Sequence, residues 1–318
     1  MKQEIFDDCL YYWNKSDGHT EFWSDLAKKW GYPTSESIRQ EFKYYRKKSG
    51  IRKENSILFN NSNQNGPKIL LLDIECSPIL AYTWGLWEQN INTDAIVHDW
   101  YMLSWSAKWI FDSKIQSDVV TSKESIKQND ERILNPIWNL LNEADIVIGH
   151  NCSQFDVKKL NTRFLKYSKI PPKPFQMIDT LTVARSVFAF SSNKLDYINQ
   201  YLGLPQKEET DISLWIKCMQ GDNDALNRML EYNKNDVAIL EDLYLKMRPY
   251  IKNHPNFNIW SEENISVCPK CGSKHLDWND FYYTYTGKYK SFRCNDCGAT
   301  GRSKENELTI GKRKSIVK

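Results

Sequence analysis

The chain has 318 residues, about two domains' worth at roughly 150 residues each, and its 41% hydrophobic and 26% charged residues support packed cores and exclude global disorder. No run approaches the roughly 18 apolar residues of a membrane span, and the mixed, acid-bearing start MKQEIFDDCLYYW is no secretory leader, so a cytoplasmic setting is expected, the host's if the chain is viral. The net charge of +3 is uneven: residues 1–65 carry 11 basic and 9 acidic side chains, residues 66–254 carry 21 and 24, and residues 255–318 carry 11 and 7. An acidic centre between two basic ends suits a carboxylate site flanked by parts that touch polyanions, although ordinary surface variation gives the same arithmetic.

Residues 1–55 read as a helical domain. Phe22, Trp23, Leu26, Ala27 and Trp30 follow helical spacing, and Gly31-Tyr-Pro33 breaks the helix. Ser35 or Ser37 then caps a second helix with Ile38, Phe42 and Tyr45 on its inner face. Two short helices around a tight turn are helix-turn-helix-like. Lys43, Arg46 and Lys47 on the second helix are candidate nucleic-acid contacts; the alternative is the solvated basic face of a small bundle. Residues 56–66, ending in NNSNQNG, form a polar linker.

Residues 67–254 change character. The apolar run from Lys68 to Asp73 is too short for a typical helix and reads as a buried strand; further strands are expected over Met102–Trp109 and Asp145–His150. Helices are expected over Glu131–Leu141, Val157–Tyr167, Thr180–Phe188, Lys194–Leu202 and Ala225–Tyr250. Strands first and helices interleaved later give an α/β domain with a mixed sheet and flanking helices.

Three motifs in this segment carry chemistry. Asp73-Ile74-Glu75 ends the first strand, and alternation puts both carboxylates on one face, where they repel unless a divalent cation lies beside them. The run IVIGHNCSQFD ends a strand at Gly149 and opens a helix at Asp156, which by itself would also suit a helix N-terminus. Tyr232 and Asp236, four apart, share a helix face. An aspartate among Leu230, Val237, Ile239 and Leu240 is oddly placed unless something binds it.

In this order, D-x-E on a strand, N-x-x-x-F-D at a strand-to-helix turn and Y-x-x-x-D in a late helix, the motifs resemble the DEDDy branch of the 3′–5′ exonucleases. The resemblance covers roughly residues 67–250 and is nearest to the exonuclease domains of family-B polymerases and their stand-alone relatives, several from phages. The run from Lys194 to Leu204 looks like the helix that precedes the family's last motif. The resemblance implies a ribonuclease-H-like fold and a nucleic-acid substrate with a free 3′ end, DNA favoured over RNA. It implies two Mg²⁺ or Mn²⁺ ions. By it, Asp73 bridges both ions, Glu75 and Asp236 hold the first, Asp156 holds the second largely through water, and Tyr232 orients the attacking water. Asn151 and Phe155 lie near the substrate's 3′ end by the same resemblance. The alternatives are an RNA 3′-end trimming ribonuclease, and a non-catalytic nucleic-acid-binding or transcription-associated protein.

Residues 255–318 hold Cys268-Pro-Lys-Cys271-Gly and Cys294-Asn-Asp-Cys297-Gly. Two such pairs in a reducing compartment match one structural Zn²⁺ held by four thiolates and resemble a zinc ribbon with a basic tail. His275 is a spare ligand candidate. Thr286-Gly287 reads as a hairpin turn. The aromatic run from Trp278 to Phe292, interleaved with Lys288, Lys290 and Arg293, marks candidate nucleic-acid contacts or a docking face for replication or recombination proteins; some of its rings are needed for a core.

Overall fold

The computed structural model describes residues 1–15, 21–48, 66–207, 209–261 and 265–317. It divides into two compact units, Met1–Asn60 and Asn61–Lys318.

The first unit holds α1 (Gln3–Lys15), α2 (Phe22–Trp30) and α3 (Ser35–Lys48). Phe6 and Cys9 of α1 pack with Trp23, Leu26 and Ala27 of α2 and Ile38 and Phe42 of α3. The inner faces of α2 and α3 are those the periodicity predicts; α1 is an addition, because its apolar residues are diluted by Asp7, Asp8 and a run of aromatics. The cap of α3 is Thr34 rather than Ser35 or Ser37: its hydroxyl accepts from Ser37 N at 3.1 Å, and Ser37 Oγ accepts from Thr34 N at 3.2 Å. Lys43 is exposed on α3. The side chains of Arg46 and Lys47 lie outside the described residues, as do residues 49–65, which include most of the expected linker.

The second unit is built on a mixed five-stranded sheet. Its strands are β1 (Ile69–Cys76), β4 (Met102–Trp109), β5 (Ile115–Val119), β6 (Ile146–Gly149) and β7 (Gln176–Asp179), in the order β5-β4-β1-β6-β7. Between β1 and β4 an excursion carries two short strands, β2 (Leu80–Ala81) and β3 (Ile96–His98). The β1–β4 and β4–β5 pairs are antiparallel, and the β1–β6 and β6–β7 pairs are parallel. Ile69 to Leu72 are at most 1% exposed, which is why the start of β1 is continuously apolar: it is the central strand, covered on both faces.

The flanking helices are α4 (Ser122–Ile126), α5 (Glu131–Glu143), α6 (Asp156–Lys166), α7 (Thr180–Val187), α8 (Leu195–Leu202), α9 (Ile212–Met219) and α10 (Asn223–Met247). The long helix α10 crosses β1, β4 and β5 and is tied to β4 by the Lys108–Glu241 ion pair. The expected elements are present within a few residues. Strands β5 and β7 and helices α4 and α9 are additions; β5, β7 and α4 are too short or too polar for periodicity to reveal.

The same unit ends in a small antiparallel sheet of β8 (Leu276–Thr284), β9 (Gly287–Cys294) and β10 (Thr300–Arg302), then α11 (Ile310–Lys314). It packs on the exit of α10. Lys270 Nζ donates to the Pro249 carbonyl at 2.6 Å, Phe257 N to the Pro269 carbonyl at 2.8 Å, and His254 lies 2.8 Å from the Tyr244 hydroxyl. Among the described residues no helix is long and apolar enough to cross a membrane.

Candidate active site and cysteine cluster

Three parallel strands, β1, β6 and β7, end at one edge of the sheet, the usual place for a ligand in an open α/β sheet. Each end delivers polar groups. β1 brings Asp73 and Glu75, and its register slips by one residue between Glu75 and Cys76, a bulge that ends regular pairing right after the second acid. β6 ends at Gly149, where a Cβ would lie 2.4 Å from Cys152 Cβ and 3.2 Å from the Leu72 carbonyl, so only glycine lets the turn close against β1. β7 ends at Asp179, whose carboxylate accepts from Asn151 N at 2.9 Å and Ser153 N at 3.1 Å and also from Leu181 N at 3.0 Å at the start of α7. Asp179 thereby fixes the turn in which Asn151 takes φ 74 and from which Asp156 enters α6.

Carboxylate oxygens of Asp73, Glu75 and Asp236 all lie within 4.8 Å of one another. Asp236 reaches them from α10, and Tyr232 sits one turn earlier on the same helix. Asp156 stands outside that group of three; its Oδ1 accepts from Ile74 N at 3.0 Å, which ties the head of α6 to β1.

The electrostatics are strained in one direction. Burial, then the charges of Asp156, Asp236 and Glu75, hold the Asp73 carboxyl well above the usual range. Burial, then Asp236, pushes Glu75 up to about 8. Burial raises Asp156 to about 7, and it raises Asp236 to about 6 despite the neighbouring Lys207. Asp236 is 1% exposed, and its Oδ1 is buried with no hydrogen-bond partner. A packed carboxylate oxygen with no hydrogen-bond donor, close to two more carboxylates, is a hard-oxygen donor set that fits a divalent cation.

Two residues that sequence reasoning missed complete the site. Lys207 Nζ lies 2.5 Å from Asp236 Oδ2 and 3.2 Å from the Tyr232 hydroxyl. It is the cation nearest the acids, and it is unmarked in the polar run PQKEETD. Burial works against its charge, but Asp236 and Asp73 more than offset that and its pKa is raised. Asn233 is fully buried and donates to Asp73 Oδ2 at 2.6 Å. Its place in the run Tyr232-Asn-Lys-Asn-Asp236 gives no signal, because Lys234 and Asn235 beside it are equally polar.

A pH dependence follows from these shifts. The three carboxyls near 6, 7 and 8 bind more protons folded than unfolded, so metal-free protein should lose stability as pH rises from about 4 to about 8. Added Mn²⁺ should flatten that decline. Thermal melts between pH 5 and 8.5, with and without Mn²⁺, check both statements; stability rising over this window would contradict the assignment of the shifts.

At the other end of the unit, the sulfurs of Cys268, Cys271, Cys294 and Cys297 lie within 4.8 Å of one another. Cys268–Cys297 and Cys271–Cys294 are 3.6 Å apart. That is far beyond a disulfide and close to the edge, about 3.8 Å, of a tetrahedron with Zn–S of about 2.3 Å. Gly298 takes φ 78 and donates to the Cys294 carbonyl at 2.9 Å, the left-handed turn that brings a C-x-x-C pair onto one ion. The four-cysteine cluster therefore fits structural zinc. His275 is not part of it and pairs with Asp296 at 3.2 Å. Phe292 is buried with the cysteines, with Trp278 packed against them, whereas Phe281, Tyr282, Tyr283 and Tyr285 are exposed. Lys288 lies over Phe281 at 3.8 Å, and Lys290 and Arg293 are exposed on β9.

One comparison with known proteins bears on this architecture. Residues 107–248 match the model of the RNase_H superfamily. The matched stretch takes in β5 to β7 and α4 to α10, and β1 with Asp73 and Glu75 precedes it; the fold is an RNase H-like mixed sheet with flanking helices, followed by a small antiparallel sheet with a four-cysteine cluster. Among solved structures, the family B DNA polymerase from the hyperthermophilic archaeon Pyrobaculum calidifontis is similar at 12% identity with a TM-score of 0.44, over 60% of this chain and 26% of the polymerase. The chain thus spans about a quarter of that structure's length. No curated protein matches the sequence.

Proposed function

We propose that this protein is a divalent-metal-dependent 3′–5′ exonuclease acting on nucleic acid, with single-stranded DNA as its preferred substrate. The observation that carries the reading is the convergence of Asp73, Glu75 and Asp236 within 4.8 Å around an unpartnered buried oxygen, with Tyr232 one turn before Asp236. Two divalent ions bound at these acids would neutralise the phosphodiester, activate water and stabilise the leaving 3′ oxygen. Asp73, Glu75 and Asp236 would hold one ion; Asp156, set apart and fixed to Ile74, would help to hold the other. The Tyr232 hydroxyl would orient the attacking water rather than bind metal. Lys207, in contact with both Tyr232 and Asp236, supplies positive charge where phosphate enters. The helical unit and the cysteine ribbon are read as accessory nucleic-acid binders through Lys43, Arg46, Lys47, Lys288, Lys290 and Arg293, with the ribbon the candidate site for replication or recombination partners.

The test is digestion with Mg²⁺ of 5′-labelled and 3′-labelled DNA and RNA oligonucleotides beside a closed single-stranded circle. The 5′ label should yield a descending ladder, the 3′ label should appear at once in mononucleotide, and the circle should persist. Cutting of the circle, or no hydrolysis, would overturn the reading, and RNA degraded faster than DNA would move it to 3′-end trimming. Tyr232→Phe keeps the ring against Trp215, 6.0 Å between centroids, and removes only the hydroxyl. Its single-turnover rate should fall roughly 10- to 1000-fold with Mn²⁺ affinity unchanged; an unchanged rate would make Tyr232 a packing residue.

A further inference from the structure

Beside the acids opens a cleft of about 600 Å³, lined in part by Asn151, Arg185, Ser192, Lys194, Asp196 and Lys207. Lys207 belongs to both places, so the cleft continues the site. Its charge is opposite to that of the domain around it. Arg185, in the last turn of α7, and Lys194, at the head of α8, are exposed, and neither forms an ion pair among the described residues. The one carboxylate among the described lining residues, Asp196, already accepts from Lys207 N at 3.1 Å.

A chain of rings adjoins the cleft along the backbone. Ser191 lines it, and the next residue back is Phe190. Phe190 contacts Tyr201 of α8 at 5.5 Å and Phe188 at 5.3 Å, and Phe188 contacts Tyr250 at 5.4 Å. The two outer rings are open to solvent, Tyr201 at 69% and Tyr250 at 60%. Four linked aromatics beside unpaired cations are what a single strand needs: phosphates meet the cations, and unpaired bases stack on the rings. Another exposed aromatic pair of this unit, Trp84 and Trp87 between β1 and β4, lacks these cations. Its excursion, residues 77–100, holds Glu88, Asp94 and Asp99 and no lysine or arginine.

We propose that this cleft and ring chain form a track for single-stranded nucleic acid, with Arg185 and Lys194 on phosphates and Tyr201 and Tyr250 on bases. The track deepens the nuclease reading, on which it rests, by naming where the strand behind the 3′ end lies. A duplex keeps its base faces stacked, so the rings select single strands.

The test is fluorescence polarisation without Mg²⁺ or Mn²⁺, using labelled oligo-dT of about 8 nucleotides, within the roughly 4–16 that one such site spans, and a duplex of the same length. In Arg185→Ala/Lys194→Ala, affinity for oligo-dT should fall about 10-fold and the log–log salt slope should shrink by about 1.4, roughly 0.7 for each lost phosphate contact. Tyr201→Ala should weaken oligo-dT binding roughly 5- to 100-fold. Both variants change exposed side chains, and an unchanged thermal melt checks their folding. Wild-type affinity and slope in both variants overturn the track, as does an equal loss for duplex and single strand. The two readings fail separately. Loss of oligo-dT binding in the variants of a protein that hydrolyses nothing keeps the track and ends the nuclease. Hydrolysis from 3′ ends with unaltered binding does the reverse.

Discussion

Asp73→Asn is expected to end Mg²⁺-dependent hydrolysis of single-stranded DNA, with a loss of roughly 10³-fold, and at the same time to raise the thermal midpoint of the metal-free protein. The two effects share one cause. Asp73 sits at the meeting point of four acids, and burial, Asp156, Asp236 and Glu75 all oppose its charge. The amide keeps the shape and still offers an oxygen to Asn233 Nδ2, now 2.6 Å from Asp73 Oδ2. It removes the charge, and with it both the metal ligand and the repulsion. Each kcal/mol of repulsion relieved moves the midpoint of a domain this size by about 2–4 °C. The gain should be largest above pH 8, where the neighbouring acids are ionised, and small below pH 5. Retained activity in Mg²⁺ would remove Asp73 from the metal site. A lower midpoint would mean the carboxylate is kept for the fold.

The second large effect concerns the cysteines. Purified protein should carry about one Zn²⁺ per chain, and Cys294→Ser should abolish it. Structural zinc in small domains contributes about 10–16 kcal/mol of apparent binding energy, far more than the few side chains packed with these four sulfurs can replace. The strands β8 to β10 should therefore unfold and become open to protease. The loss should also spread. The ribbon closes over the exit of α10 through Lys270 on Pro249 and Pro269 on Phe257, and α10 carries Tyr232 and Asp236. Both the thermal midpoint of the remaining unit and its cleavage rate should fall. Zinc analysis, limited proteolysis and cleavage of a short oligonucleotide on one preparation check this. Full activity after loss of the ribbon would make it a separable module.

The sequence by itself singled out the acids and cysteines that the structure brings together, because side-chain types and their spacing are local properties. D-x-E at the end of an apolar run, Tyr232 four before Asp236, and two C-x-x-C-Gly pairs each stand out within a few residues. The hydrophobic runs likewise determined β1, β4 and β6 and the longer helices, since burial on both faces of a sheet, or one face of a helix, must appear as composition. Elements whose burial is partial left no such trace. All five residues of β5 are half-buried, and β7 begins with two exposed residues, so neither shows a run or an alternation.

Only the tertiary structure decided what surrounds those residues. Asn233 meets Asp73 across 160 positions, Asp179 holds Asn151 from 28 positions away, and Lys207 reaches Asp236 from 29. None of the three differs in sequence from an ordinary surface polar residue. Their importance comes from desolvation: inside a packed site a lysine beside a carboxylate, or an amide on another, acts with little water to screen it. The same holds for the cleft, where Arg185, Lys194 and Lys207 come from three separate segments and become one cationic surface only when α7, α8 and the chain after α8 are packed together. The candidate donors are written in short spacings, while the field around them is set by which distant segments exclude water from them.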